Sequence, residues 1–419
     1  MDNSVVSPVL ALPPEITSEI FFYYVLDPCL GHSGTFTPSR GPLTLAAVCQ
    51  SWRDICFSTP CLWASLRIYP NKSWVVDDFI YFLKCWLRRA GNHPLDLHID
   101  NSILSTKILS VICHHAPQLR TLGFSLDASR SFPSDEIWGS LPLLRKLAVR
   151  MPKDDSPVAI TAFRDVPHLR ELRLTGTSLR CISLPWIQLT RLEFWGESAF
   201  SCVQVLKETP NLEVLEVCLG GSPNVEPSHP SHVMLLPYLH TLKFTETYNS
   251  ELLGRLVLPV LKTIHLTRLR SHSLSSFLDL GVRSAWSPRS IHLTETEVDS
   301  CIACLQSLPS ATQVEIGIRR GGDPNVDLLL SFLQKDDRRI LPVLETLTLR
   351  VWRSLFDSRQ LREMLASRST GAHDGQVNLK SFQLVYWRQW ASQAFADEIW
   401  AELRPLIDVG LEVSINSDL

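Results

Sequence analysis

The chain has 419 residues, 45% hydrophobic and 20% charged, with a formal net charge of −3. That balance belongs to an ordinary soluble globular protein. The length exceeds one conventional core and predicts two or more domains or a solenoid, and the lack of a basic excess argues against broad nucleic-acid or membrane-surface binding. Met1-Asp2-Asn3-Ser4 offers no basic region ahead of Val5–Leu12, and no apolar run reaches the roughly 18 residues of a membrane span, so neither a secretory signal nor a membrane-spanning helix is expected. Eleven dispersed cysteines, many inside apolar stretches (Cys49, Cys56, Cys202, Cys218), read as reduced thiols of the cytoplasm or nucleus.

Residues 12–22 are LPPEITSEIFF. Leu12-Pro13-Pro14 is an extended lead-in, Pro14 suits a first helical turn, and Glu15 favours the positive end of the helix dipole. Ile16 and Ile20 stand one turn apart with Phe21 beside them. A Gly/Pro/Ser/Thr-rich loop is expected at 28–41. Leu45, Val48, Cys49, Trp52 and Cys56 then recur at helical spacing, Ser58-Thr59-Pro60 stops that helix, and Leu62-Trp63 opens another short apolar segment.

The spaced elements LPPEI…IF and L…VC..WRDIC..TP.LW.SL resemble the F-box, in the form abundant in mushroom-forming fungi. The resemblance covers about 55 residues, and the insert at 28–41 is longer than the usual link between the helices. It implies a small helical hairpin that packs on the Skp adaptor, and through it a cullin, in a ubiquitin ligase. By position it makes Leu12, Pro13, Ile16, Ile20, Leu45, Val48, Cys49, Trp52 and Trp63 candidates for that interface or its supporting core. On spacing alone, a plain amphipathic helix pair capping a domain fits the same residues.

Residues 73–91 predict an amphipathic helix, with Ser73 as cap, Asp77 and Asp78 early, Arg88 and Arg89 late and Gly91 at the end. It is expected to join the head to the remainder of the chain. Beyond it a phrase Pro-x-Leu-x-x-Leu-x-Leu recurs: at 117–124, 142–149, 167–174, 210–217, 237–244, 259–266 and 342–349, with weaker copies at 187–194, 288–293, 309–316 and 377–384 and an earlier strand at 94–99. Pro117, Pro142 and Pro167 fall 25 residues apart, within the 20–29 of leucine-rich repeats. Leu122 and Phe124, Leu147 and Val149, Leu172 and Leu174, and Leu215 and Val217 are predicted to face inward, with Thr121, Gly123, Ser125, Lys146, Ala148 and Arg150 outward. Helices are expected at 102–115, 199–208, 296–307 and 391–408, an extension of one repeat at 319–341, and a loop at 367–377. The Asn or Cys usual two residues past the last strand leucine is replaced by Asp127, Pro152, Thr177 and Thr247, which resembles the irregular repeats of F-box proteins.

The predicted class is therefore α/β: a helical head at 1–70, a connecting helix at 71–92, and at 93–419 an irregular leucine-rich-repeat solenoid with a parallel concave sheet and helices or irregular segments on the convex side. No phosphate loop, GxGxxG, HExxH or GxSxG is present. Cys301-x-x-Cys304 lacks a second ligand pair, and His114-His115 and His229/His232 lack obvious partners, so neither metal nor cofactor is expected. On the open side of the sheet, Lys146, Arg150, Arg173, Arg191, Trp195, Lys243 and His265 are candidates for holding a target, as an acidic or phosphorylated peptide. Glu171 and Glu193 dilute that charge, and a solvated mixed-charge face is the alternative. The resemblance implies a non-catalytic, substrate-recognising subunit of a Skp–cullin–F-box ligase, with an unidentified protein as substrate. A repeat scaffold or receptor module with no link to ubiquitin is the other reading.

Overall fold

Each Pro-x-Leu phrase places one leucine before a strand and two apolar residues within it, so a single rung buries nothing until a neighbour stacks on it. The computed structural model describes residues 11–26, 41–68, 76–99, 106–125, 139–150, 160–176, 182–196, 199–220, 233–246, 252–318, 326–334, 340–351, 357–369, 379–387 and 393–418. They form an α/β structure of parallel strands and helices, divided into two compact units, Met1–Leu189 and Thr190–Leu419.

The first unit opens with α1 (Pro14–Leu26), α2 (Pro42–Ala46), α3 (Gln50–Ser58) and a 3-10 turn (Pro60–Trp63). It continues through β1 (Ser65–Ile68), α4 (Val76–Ala90), β2 (Leu95–Ile99), α5 (Thr106–Cys113), β3 (Leu119–Ser125), β4 (Lys146–Arg150) and β5 (Glu171–Thr175). These five strands pair in parallel in chain order. Leu97, Leu122, Leu147 and Leu172 share one register, Ile99, Phe124, Val149 and Leu174 another, and all eight are buried. Leu119, Leu144 and Leu169, the lead-in leucines, add a third buried row.

The second unit contains β6 (Arg191–Gly196), α6 (Ala199–Glu208), β7 (Val214–Leu219), β8 (Met234–Leu235), β9 (Thr241–Glu246), β10 (Leu256–Val257), β11 (Thr263–Thr267) and α7 (Ser271–Ser284). Next come β12 (Ser290–Thr296), α8 (Val298–Gln306), β13 (Gln313–Ile318), α9 (Val326–Gln334), β14 (Thr346–Val351), α10 (Ser358–Ser369), β15 (Ser381–Trp387), α11 (Gln393–Asp408) and β16 (Glu412–Asp418). β8 and β10 pair apart from the rest, and the remaining strands run parallel from β6 to β16. Leu215, Leu242, Ile264, Ile291, Val314, Leu347 and Phe382 form one buried row across them. Helices α7 to α11 pack each on the next.

Several expectations change. The single helix expected through Leu45–Cys56 breaks at Ala47–Cys49. Cys49 is extended, and the Arg53 Nε donates at 3.0 Å to the Ala46 carbonyl, taking the place of a helical bond at the end of α2. The head expected to end at 70 already contains the first rung: β1 pairs with β2, Leu66 opposite Leu97. β16 and helices α7, α9 and α10 are additional elements, and α10 reaches Ser369, into the loop expected at 367–377. Gly123 and Ser125 do not present an open surface. Both are buried, and the His98 ring lies where a Gly123 side chain would go. Apart from Gly41, the insert at 28–41 lies outside the described residues, as do Asp127, Pro152, Thr177, Thr247, His229 and His232.

Candidate functional site

Helix α1 carries apolar side chains on two opposite faces. Thr17 and Phe21 point inward and are buried, with Phe21 at 2% exposure meeting the Trp52 ring edge-on at 4.8 Å. Thr17 Oγ1 donates at 3.2 Å to the Pro13 carbonyl, which ties the Leu12-Pro13 lead-in to the first turn. Ile16 and Ile20 point the other way at 51% exposure each, with Tyr23 and Leu12 also exposed. Val48, in the turn between α2 and α3, is 59% exposed. A helix of a self-contained core would carry polar residues on that outer face. Pro13 is exposed, and Cys49 and Trp52 are half-buried.

Leu45 and Trp63 fall on the supporting side, the second of the two places expected for these candidates. Leu45 is buried on α2, and Trp63 is fully buried. The Trp63 indole N–H donates to the Cys56 carbonyl at 2.8 Å, its own carbonyl accepts the Trp86 indole N–H at 2.7 Å, and the two rings meet edge-on at 4.8 Å. The Arg89 guanidinium lies 4.6 Å from the Phe57 ring centre and 4.7 Å from that of Trp63. These contacts fasten the head to α4, whose Phe79, Leu83, Trp86, Leu87 and Ala90 are buried and which also packs on α5. The Trp52 Nε1 is buried and meets no acceptor among the described residues.

The candidates for holding a target separate by unit. In the first, Lys146 is taken by Glu171 at 2.8 Å, while Arg150 and Arg173 are exposed. In the second, Arg191 pairs with Glu193 at 3.2 Å and Lys243 with Glu216 at 3.5 Å, and Trp195 is 45% exposed. Glu193, Glu216, Lys243, His265, His292 and Glu315 occupy one register on successive strands. The charged candidates of this unit, Arg191 and Lys243, are thus each already engaged by a carboxylate. Sequence alone does not bring out Glu216, His292, Glu315 and Arg350 as partners, because that pairing is set by register between segments more than 20 residues apart.

The centre of that register is a polar ladder. The His265 and His292 rings stack at 3.9 Å and 11°. Ser290 Oγ lies 3.0 Å from His292 Nε2, and His292 Nδ1 lies 2.8 Å from Glu315 Oε2, with Arg350 on the other Glu315 oxygen. The hydrogen bonds to His292 and Arg350 hold the Glu315 carboxyl down at about 2. Burial, then the neighbouring His292 and Lys243, push His265 down to about 4. A hydroxyl, an imidazole and a carboxylate in line are the order of a nucleophile relay, but the amides beside Ser290 are spent on the sheet. Ser290 N–H donates to the Lys262 carbonyl and Gln313 N–H to the Arg289 carbonyl, so they form no hole for a developing oxyanion.

Burial raises the Cys301 thiol to about 12 and drives Cys304 upward as well, which keeps both protonated and far from thiolate chemistry. Among the described residues no cluster of three or more His, Cys, Asp or Glu is placed to hold a metal, and no helix is long and apolar enough to cross a membrane. Compared with protein-family models and with curated proteins, the chain gives no match.

Proposed function

We propose that the chain is the substrate-recognition subunit of a Skp–cullin–F-box ubiquitin ligase, its N-terminal helices docking on the Skp adaptor and its repeats holding a protein target. The observation that carries this reading is the outer face of α1. Ile16, Ile20 and Tyr23, with Leu12 just ahead of them, are exposed on a helix whose inner face is already filled by Thr17 and Phe21. The resemblance of LPPEI…IF and VC..WRDIC to the F-box gives that face its partner, and Val48 adds an exposed contact of the same motif. Transfer of ubiquitin then belongs to other subunits, and this chain contributes proximity, raising the effective concentration of target lysines.

The test is co-expression with a Skp adaptor, followed by co-purification of the wild type and of Ile16→Ser/Ile20→Ser. Both isoleucines are half-exposed, so the variant leaves the core in place. A complex formed by the wild type and lost in the folded variant supports the reading. No complex with folded wild type, across several adaptor paralogues, overturns it in favour of a repeat scaffold unconnected with ubiquitin.

A further inference from the structure

The strands of the Met1–Leu189 unit carry an uneven charge. β2 to β5, with the residue leading into β4 and into β5, hold Arg120, Arg145, Lys146, Arg150, Arg170 and Arg173 against two carboxylates, Asp96 and Glu171. Six cations less two anions leave +4 on this one surface, in a chain whose formal net charge is −3.

Both carboxylates are spent. Asp96 is gripped by the two-pronged Arg120 guanidinium, its Oδ1 accepting from Nε at 3.1 Å, and Glu171 is held by Lys146 at 2.8 Å. Arg145, Arg150 and Arg170 are exposed and meet no carboxylate among the described residues. The Arg145 N–H donates to the Arg120 carbonyl and the Arg170 N–H to the Arg145 carbonyl, so Arg120, Arg145 and Arg170 stem from successive rungs, about 4.8 Å apart, while Arg150 stands at the far end of β4. Like charges at that spacing build a positive potential that only solvent and salt screen. Arg170 is also partly ordered in advance, because its Nη1 donates to the carbonyls of Pro167 and Leu169 at 3.2 and 2.9 Å.

The three unmatched cations are all arginines, whose planar fork fits a carboxylate in two-point fashion. We propose that this face docks an acidic polypeptide segment, with its Asp and Glu side chains taken by Arg145, Arg150 and Arg170. The chemistry stands on the charge pattern, and only the assignment of that segment to the ligase target rests on the proposed function. A polypeptide fits better than a nucleic acid. Asp96 and Glu171 stand among the arginines and repel an unbroken run of phosphates, whereas a protein segment can place neutral residues opposite them.

The test uses the full chain and fluorescent twelve-residue peptides in which Asp and Glu alternate with Gly and Ser. A Lys-containing counterpart, a phosphoserine peptide of equal charge and a single-stranded oligonucleotide of equal charge serve as comparisons, with binding read by anisotropy at low and moderate salt. The acidic peptide is expected to bind best, to weaken as salt rises, and to lose about tenfold in affinity in Arg145→Ala/Arg150→Ala/Arg170→Ala, as three exposed ion pairs warrant. Lys262→Ala/Arg289→Ala/Arg404→Ala removes as much charge from exposed sites of the other unit and is expected to leave binding unchanged. Equal loss in both triple variants, or equal binding of the Lys peptide, overturns the proposal. So does tighter binding of the phosphoserine peptide or of the oligonucleotide. Adaptor co-purification of the same arginine variant is expected to persist, which keeps failure here distinct from failure of the ligase reading.

Discussion

Two positions on one helix separate docking from folding. Phe21 and Ile16 both lie on α1, five residues apart and on opposite faces, one 2% and the other 51% exposed. Phe21→Ala empties a site against the Trp52 ring and is expected to cost about 3–5 kcal/mol of stability. Ile16→Ala removes a side chain that folding covers only by half, so it loses about half of the roughly 1.5–3 kcal/mol that full burial is worth, and alanine's better helix propensity offsets part of that. Under the proposed function, docking on an adaptor buries the other half. Losing it at both Ile16 and Ile20 removes about 2 kcal/mol of docking energy, or roughly 30-fold in affinity. Urea unfolding followed by circular dichroism measures the first effect, and titration against purified adaptor the second. If Ile16→Ala lowers the unfolding midpoint as far as Phe21→Ala does, the outer face is covered in the folded chain and the reasoning fails.

Leu215 is fully buried between Leu192 and Leu242 in register, so Leu215→Ala is expected to cost about 2–5 kcal/mol and Leu215→Asp to unfold its unit; an unchanged melting curve for the aspartate variant contradicts the register. At Gly123 a Cβ would run into the His98 ring at Nδ1, so Gly123→Ala is expected to destabilise by about 1–3 kcal/mol. A His98→Ala background should relieve that cost, and a double-mutant cycle showing simple additivity refutes the contact. Burial, then the facing His292 and Lys243, with Glu315 opposing them, make His265 take its proton near pH 4 when folded against 6.5 when unfolded. The unfolded chain therefore binds the extra proton between those values, and the contribution is whole above about pH 6.5 and lost as pH falls toward 4. A shift of that size bounds the effect at about 3 kcal/mol, and solvent screening of the partly exposed ring lowers it to about 1–2. His265→Gln should flatten the fall in urea midpoint across that window, and an unaltered slope counts against it.

The repeats were legible because each rung needs the same three apolar residues. Leu144, Leu147 and Val149 in one phrase, and Leu239, Leu242 and Phe244 in another, are buried at equivalent places. Strands without the Pro-x-Leu lead-in escaped. β1 follows the Trp63 turn directly, and β16 comes straight off Gly410, whose φ of +106° turns the chain out of α11. Helix α10 (SRQLREMLASRS) shows few apolar residues, since Leu361, Met364 and Leu365 suffice to seal it, and the serines of α7 speak locally for loop rather than helix. Among the site candidates, side-chain type was legible and pairing was not. Lys146, Arg191 and Lys243 look like available charges in sequence, but each meets a carboxylate, two of them on a neighbouring strand brought alongside by the fold.

Under the proposed function, the docking head and the target face both lie in the first unit. Among its described residues the two are joined through packed elements. The chain passes from α3 through the Trp63 turn into β1, β1 pairs with β2, and the Trp63–Trp86 contact and the Arg89 stack hold α4 across the junction. The arginine-rich face begins only one strand further on, at β3. A flexible tether would spread a bound target over a volume that grows with linker length, diluting its lysines. A packed junction instead fixes the direction in which the target is presented, so that target size and lysine position, rather than linker entropy, select what is modified. Under the proposed function, Trp63→Ala should therefore impair target modification beyond any loss of adaptor affinity. The indole it removes holds the junction while making no contact of its own on the outer face of α1.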